Sequence, residues 1–202
     1  GIDQGEALRG GATRVLSRRA VDGELYAALK ILGARQQSRW LIRQAMATTM
    51  SQETTDPRTG AYTFDYMRAH LEALVAAARV RDKHLTLVFF SFPDAPGVKA
   101  QFGEDASEHL LRQLPQWINA MVRVEDMVAH YTGHDFCIAL PDTPYEEALY
   151  VMNRIAGVLA YTDFSLREVY QPVSISVEFG IAGIEKGDTT DTLIDRARAN
   201  LD

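Results

Sequence analysis

The chain has 202 residues, of which 47% are hydrophobic and 24% charged, and its formal net charge at pH 7 is −6. This ordinary globular composition excludes a disordered, collagen-like or disulfide-framework protein. Basic residues form no cluster, and no apolar run reaches the roughly 18 residues that span a bilayer, so the sequence predicts neither a duplex-binding nor a membrane protein. The start lacks a signal-peptide core, and we expect a cytoplasmic protein. The lone cysteine, Cys137, stands in an apolar run, which favours a buried apolar role over a reactive thiol.

The first 50 residues predict the end of one domain followed by a long helix. Residues 7–16 combine a helix end, a glycine turn and a short strand. Apolar side chains then recur at helical spacing between residues 22 and 50, beginning with Leu25, Leu29 and Leu32. Such a helix would extend roughly 40 Å, so we expect its second half to be a stalk or a dimer contact. Turn-forming residues from Ser51 to Gly60 form a linker, which places the two domains at residues 1–50 and 51–202.

Helices and strands alternate after the linker. An amphipathic helix is predicted over residues 63–81, an almost uniformly apolar strand over 85–92, and a helix over 104–121 that Pro115 must kink or split. Residues 127–131 and 136–140 predict the two strands of a hairpin around a four-residue turn. A helix over 144–161, an alternating strand over 173–184 and a helix capped by Thr189 complete the domain. This order predicts an α/β sandwich with a mixed central sheet flanked by helices.

Four fragments of this domain stand out by their order and spacing. They are Asp56-Pro57-Arg58-Thr59-Gly60, Tyr131-Thr132-Gly133-His134-Asp135-Phe136, Leu140-Pro141-Asp142-Thr143 and the run from Ser174 to Ala182. Together they resemble the GGDEF domain of diguanylate cyclases, over about residues 54–202, and the resemblance implies the nucleotidyl-cyclase-like fold of that family. The first 50 residues are similar to the C-terminal end of a response-regulator receiver domain, which implies a role in signal transduction. Arg18 and Arg19 stand where receivers usually have Lys-Pro, which argues against phosphorylation-dependent switching.

The signature hairpin departs from the pattern that the resemblance implies for a cyclase. The family holds two metal ions with an Asp-x-Asp stretch after the first long strand and with the acidic third residue of the signature. The corresponding residues here are Ser91, Pro93 and His134, and none of them supplies a carboxylate. Lys99 stands where the family has a guanine-reading Asn. Glu108 stands where the family has a guanine-reading Asp, which is a more conservative change. Thr132 replaces the first glycine of the signature and hinders the approach of phosphates to the backbone. These departures predict a catalytically inactive domain that requires no cofactor and no magnesium.

A second set of residues keeps the family's pattern. Arg123 and Asp126 form an Arg-x-x-Asp motif, and five residues separate Asp126 from Thr132. This is the spacing of the family's inhibitory site (I-site), which binds cyclic di-GMP, and Arg154 stands at the third I-site position. An arginine fork can bond guanine O6 and N7 or a phosphate, and a carboxylate accepts from guanine N1 and N2. An Arg–Asp pair at this spacing is usually only a surface ion pair, so the context and Arg154 carry the prediction.

We therefore expect an inactive GGDEF-type domain that acts as a cyclic di-GMP receptor through Arg123, Asp126 and Arg154. The ligand is expected to promote a homodimer or another domain–domain contact and to signal to other proteins, as in effectors that pair receiver domains with an inactive GGDEF domain. A weakly active cyclase with an unusual metal site and a structural interaction module with a vestigial I-site are the two alternatives. A zinc site is not expected, because His130 and His134 lack a third ligand at metal spacing.

Overall fold

The computed structural model describes residues 54–81, 83–166 and 172–201, together with Tyr26 and Lys30. The chain divides into two compact units, Gly1–Thr49 and Met50–Asp202. Tyr26 and Lys30 are helical, and the other predictions for residues 1–50, including the receiver remnant and the stalk helix, lie outside the described residues.

The strands of the second unit form one mixed sheet. Its elements are β1 (Tyr62–Thr63), α1 (Phe64–Arg81), β2 (Leu85–Ser91), α2 (Ala95–Phe102), α3 (Glu104–Met121), β3 (Met127–Thr132), β4 (Asp135–Pro141), α4 (Tyr145–Ala160), β5 (Glu178–Gly183) and α5 (Thr190–Ala199). The strand order is β1-β3-β4-β2-β5. β1 is parallel to β3, whereas β4 is antiparallel to β3 and β2, and β5 is antiparallel to β2. The predicted mixed sheet flanked by helices is confirmed.

β2 lies inside the sheet, between β4 and β5, and is covered on both faces. Val88 and Phe90 belong to the hydrophobic cluster that includes residues of α2, α3 and α4, whereas Leu87 and Phe89 belong to the cluster that includes residues of α1 and α5. All of the side chains from Leu85 to Phe90 are buried. The uniform apolar run therefore predicted this strand correctly, because a strand between two helical layers has no solvent face.

The first difference from the prediction concerns two helices. The sequence does not predict α2, because Pro96 and Gly97 suggest a turn, yet a proline is well tolerated in a first helical turn and Val98 is buried in the core. α3 runs without interruption through Pro115, so of the two predicted alternatives, a kink or a split, the split is excluded. Pro115 itself is buried together with its neighbour Leu114. We attribute the continuity to this packing, which offsets the missing backbone hydrogen bond.

The strand predicted over residues 173–184 is shorter in the structure. β5 begins at Glu178, opposite the last residue of β2, Ser91. Val173 instead forms an isolated bridge with Phe164, and the backbone N–H of Ser176 donates to the Asp94 carboxylate at 2.9 Å. The first half of the predicted strand thus has other partners, because β2 ends before it could pair.

The remaining predicted helices match the structure closely. α1 and α4 agree with their predicted ranges to within one residue at each end. Thr189 caps α5 reciprocally with Thr192: the Thr192 N–H donates to Thr189 Oγ1 at 3.1 Å, and the Thr189 N–H donates to Thr192 Oγ1 at 2.8 Å. The predicted cap is confirmed. No helix among the described residues is long and apolar enough to cross a membrane.

Candidate functional site: the signature hairpin and the Arg-x-x-Asp turn

The signature hairpin connects β3 and β4. Thr132 pairs with Asp135, so the turn contains only Gly133 and His134, rather than the four residues that the sequence predicts. Gly133 has φ of 53°, a left-handed conformation that favours glycine. The strand register shifts just before Thr132, and Phe136 is completely buried in the core. The hairpin therefore projects residues 132–135 from a firmly anchored base.

The end of β2 is tied to the hairpin by a hydrogen bond. Ser91 Oγ donates to Asp135 Oδ1 at 2.9 Å, and Pro93 follows two residues later as an exposed side chain. Asp135 is the one carboxylate among residues 132–136. A magnesium ion favours several hard oxygen ligands. Where the end of β2 meets the hairpin, the side chains offer the hydroxyl of Ser91, hydrogen-bonded to one carboxylate, that of Asp135.

His134 at the tip of the hairpin packs against α3. Its Nε2 atom lies 3.2 Å from Ser107 Oγ, and Ser107 itself is buried. Burial lowers the pKa of His134 below its ordinary value, and the positive charge of Arg58 acts in the same direction, against opposing contributions from Ser107 and Asp135. The neutral imidazole is therefore favoured, and neutral imidazole is a poor ligand for magnesium.

His130 links the hairpin to the turn at the start of the domain. Its Nδ1 atom contacts the Asp56 carboxylate in a short hydrogen bond, and its Nε2 atom lies 3.0 Å from the carbonyl oxygen of Gly133. Asp56 Oδ1 also accepts from the backbone N–H of Arg58 at 2.8 Å. Sequence reasoning missed this contact, although Asp56 and the hairpin both belong to the fragments that carry the family resemblance.

The positions that correspond to guanine-reading residues are occupied by charged side chains that form ion pairs with residues of α3. Lys99 on α2 forms an ion pair with Glu104. Glu108 accepts a hydrogen bond from Arg112, one turn later on α3, at 3.1 Å. Lys99 is exposed and Glu108 partly so, so both pairs lie at the protein surface.

A cavity of about 480 Å³ lies beside the hairpin, next to α5. Its lining residues include Tyr131, Thr132, Asp135, Asp195 and Arg198. The guanidinium carbon of Arg198 lies 5.3 Å from the centroid of the Tyr131 ring, a cation–π distance. Sequence reasoning missed Arg198, because a lone arginine in a short helix carries no local signal. Within the described part of the chain, no group of three His, Cys, Asp or Glu side chains is arranged to hold a metal ion.

The Arg-x-x-Asp motif forms a closed turn between α3 and β3. The backbone N–H of Arg123 donates to Asp126 Oδ2 at 2.6 Å, and the N–H of Asp126 donates to the carbonyl oxygen of Arg123 at 3.3 Å. Asp126 is only 9% exposed, whereas Arg123 is exposed. The carboxylate thus fixes the conformation of the turn, and the turn presents the arginine to solvent.

The third predicted I-site residue lies on a separate element. Arg154 is exposed on α4, whose opposite side buries Met152, Ile155 and Leu159. α3 and α4 cover the same face of the sheet and contact each other. The structure therefore brings Arg123 and Asp126 together directly and places Arg154 on the helix next to the one that precedes their turn.

The comparison with protein families identifies the second unit. The sequence model described as "Diguanylate cyclase, GGDEF domain" matches residues 53–202. The chain belongs to the GGDEF family. The sole cysteine of this GGDEF domain, Cys137, is completely buried in β4 with its pKa raised by burial, in line with the predicted apolar role.

Two relatives show the longer proteins in which such domains occur. Response regulator PleD of Caulobacter vibrioides is 25% identical over 193 residues, which cover 95% of this chain and 42% of PleD. Diguanylate cyclase DgcP of Pseudomonas aeruginosa is 23% identical over 177 residues, which cover 88% of this chain and 26% of DgcP. The chain thus spans less than half the length of these relatives.

Solved structures share the fold. The GGDEF domain of DgcB from Caulobacter crescentus, in complex with c-di-GMP, gives a TM-score of 0.71 at 18% identity, over 75% of this chain and 90% of that chain. The FimX GGDEF domain from Pseudomonas aeruginosa gives a TM-score of 0.69 at 21% identity, over 73% of this chain and 91% of that chain. Diguanylate cyclase SiaD from the same organism, in complex with its activator SiaC, gives a TM-score of 0.71 at 17% identity, over 89% of this chain and 68% of that chain.

Proposed function

We propose that this chain is a GGDEF protein without cyclase activity that binds cyclic di-GMP at Arg123, Asp126 and Arg154. The observation that carries the proposal is the closed Arg-x-x-Asp turn. Asp126 Oδ2 accepts a hydrogen bond from the backbone N–H of Arg123 at 2.6 Å, so the exposed arginine side chain projects from a turn whose backbone is fixed. A turn whose backbone is fixed before binding loses less entropy when it binds a ligand than a mobile loop does.

The chemistry of the three residues suits a guanine dinucleotide. Arg123 and Arg154 are both exposed, and each guanidinium can donate a pair of parallel hydrogen bonds to guanine O6 and N7 or to a phosphate. Asp126, which is only 9% exposed, is proposed to accept from guanine N1 and N2 beside its bond to the Arg123 N–H, since a carboxylate has about four lone-pair sites. Adenine lacks this donor pattern, which supports a preference for guanine.

The absence of cyclase activity is supported by the residues at the expected metal site. Ser91, which donates its hydroxyl hydrogen to Asp135 at 2.9 Å, supplies no carboxylate, so Asp135 is the one carboxylate that the hairpin and the end of β2 offer to a metal ion. His134 lies against Ser107, and burial favours its neutral form. Pro93 supplies no oxygen ligand from its side chain. These residues do not fit a pair of magnesium ions, each of which requires several oxygen ligands, and we expect no magnesium to be needed for ligand binding.

The proposed output is a ligand-dependent protein contact. Two observations support it: DgcB is described in complex with c-di-GMP and SiaD in complex with its activator SiaC. PleD is described as a response regulator, and its match extends over 95% of this chain, which supports the proposal that a receiver remnant precedes the GGDEF domain. Binding is expected to favour a homodimer or a contact with another signalling protein.

Calorimetric titration of the chain with cyclic di-GMP tests the proposal. We expect saturable binding by the wild type and a loss of about 5- to 150-fold in affinity for Arg123→Ala, the effect of one lost bidentate contact. Arg112→Ala is the matched control, because Arg112 is an exposed arginine on α3 that pairs with Glu108. No binding by the wild type would refute the function, and equal binding by Arg123→Ala would refute the site.

A further inference from the structure

Tyr150 lies on the exposed side of α4, one helical turn before Arg154. The residue is 58% exposed. Residues four positions apart on a helix are neighbours, with Cβ atoms about 5–6 Å apart. Met152, Ile155 and Leu159 are buried on the opposite side of α4. Tyr150 and Arg154 therefore leave the helix from the same solvent-facing surface.

The environment of Tyr150 differs from that of the aromatic residues that pack in or against the core. Phe64 and Phe89 each pack edge to face against Tyr131, with ring centroids 4.8 and 5.0 Å apart. Within the described part of the chain, no ring contact or hydrogen bond is found for the Tyr150 side chain. Large exposed aromatic rings are enriched where a protein contacts another molecule. A phenol ring beside an exposed arginine offers a stacking face next to a hydrogen-bonding fork.

We propose that Tyr150 is a base-stacking residue of the cyclic di-GMP site, an inference that rests on the proposed function. A guanine that receives hydrogen bonds from Arg154 along its edge leaves its flat faces open. The Tyr150 ring is close enough, one turn away, to cover one of these faces. Stacking is tolerant of base identity because every base has a π-face, so Tyr150 supplies affinity, whereas Arg154 and Asp126 distinguish guanine from adenine.

Titration of three tyrosine variants with cyclic di-GMP separates stacking from other roles. We expect Tyr150→Ala to weaken binding by about 5- to 150-fold, the range for loss of one base–aromatic stack. Tyr150→Phe keeps the ring and should bind within about 3-fold of the wild type, because the substitution removes only the hydroxyl. Tyr161→Ala is the control, since Tyr161 is 94% exposed just beyond the end of α4 and should leave the affinity unchanged.

A second measurement reports on ring position directly. In protein labelled with ¹³C at tyrosine rings, stacking on guanine should shift the Tyr150 ring proton resonances upfield when cyclic di-GMP is added. The resonances are assigned by their absence from Tyr150→Phe, and those of Tyr161 should not move. This readout is independent of affinity and would not respond if Tyr150 had a merely structural role.

The outcomes distinguish this inference from the proposed function. No binding by the wild type refutes the proposed function itself. Wild-type binding that Tyr150→Ala fully retains overturns the stacking role, as does equal weakening by Tyr150→Phe, which would indicate a hydrogen bond from the hydroxyl. Full retention by Tyr150→Ala together with weaker self-association would show that this face contacts a second copy of the chain, and this too overturns the stacking role.

Discussion

His130 joins the signature hairpin to the turn at the start of the domain through the carboxylate of Asp56. The Nδ1 atom of His130 contacts Asp56, and its Nε2 atom lies 3.0 Å from the carbonyl oxygen of Gly133. Both ring nitrogens of His130 face oxygen atoms that can accept a hydrogen bond. The two side chains are only 12% and 14% exposed. The segment that enters the domain is thereby coupled to the hairpin tip.

Removal of the imidazole should destabilise the domain. We expect His130→Ala to lower the free energy of unfolding by about 1–3 kcal/mol, because the mostly buried Asp56 loses its partner. His130→Arg should retain more stability, since a guanidinium also donates to a carboxylate. Lys83→Ala is the control: Lys83 and Asp142 form an exposed ion pair at 2.8 Å, worth less than about 1 kcal/mol. Urea unfolding measures all three, and equal losses for His130→Ala and Lys83→Ala would contradict the coupling.

His134 should make stability depend on pH in the weakly acidic range. Burial lowers its pKa in the folded domain, so the unfolded chain takes up the proton first, below its ordinary pKa of about 6.5. Stability is therefore full above that pH and falls as the pH drops toward the folded pKa. Urea unfolding at pH 7.5 and 5.5, on either side of about 6.5, measures this dependence. The free energy of unfolding should decrease less between these two pH values for His134→Gln than for the wild type. An unchanged decrease would rule out this role for His134.

Asp126 is expected to serve both the turn and the ligand, and two variants separate these roles. Asp126→Asn retains an oxygen that can accept the Arg123 N–H, now bonded at 2.6 Å, so the free energy of unfolding should change little. Asp126→Ala removes that acceptor and should cost about 1–2 kcal/mol. Both variants should bind cyclic di-GMP more weakly, because neither presents a carboxylate to guanine N1 and N2. Wild-type affinity in Asp126→Asn would show that the carboxylate is only structural.

The hairpin shows which parts of the site can be predicted from the local sequence. Apolar runs on both sides of a glycine predict β3 and β4, and the spacing from Asp126 to Thr132 is itself a sequence property. The length of the turn cannot be deduced from the local sequence, because the pairing of Thr132 with Asp135 depends on a register shift inside β3. A bulge changes the register by one residue without changing the hydrophobic pattern.

Contacts between distant segments lay beyond sequence reasoning for a different reason. His130 meets a residue 74 positions earlier, and His134 meets Ser107, 27 positions away. Nothing in either local pattern indicates these partners, because they are set by the packing of separate elements on the sheet. Tyr150 is a similar case: its helix was predicted, but a helical pattern alone does not show that a tyrosine beside Arg154 remains exposed.

Gly180 tests the packing between β5 and α5, and Gly157 in α4 is a contrasting position. A Cβ atom on Gly180 would lie 2.2 Å from the carbonyl oxygen of Ala197 and 2.7 Å from the backbone nitrogen of Leu201. Gly180→Ala should therefore destabilise the domain by about 2–4 kcal/mol. Gly157 lies in α4, where a Cβ atom would have no other atom within 4 Å, and Gly157→Ala should stabilise by about 0.5–1 kcal/mol. Thermal unfolding measures both variants, and a midpoint for Gly180→Ala that equals or exceeds that of the wild type would contradict the close approach.

The remaining prediction concerns metal binding and turnover. We expect no cyclic di-GMP from GTP with either magnesium or manganese, because the hydroxyl of Ser91 is bonded to Asp135 and His134 favours its neutral form. A triple variant, Ser91→Asp, Pro93→Asp and His134→Asp, adds three carboxylates at these positions. It should bind manganese more tightly than the wild type, as measured by the loss of the free-ion paramagnetic resonance signal. Product formed by the wild type above an enzyme-free control would show that the hairpin catalyses the reaction without those carboxylates and would refute the proposed inactivity.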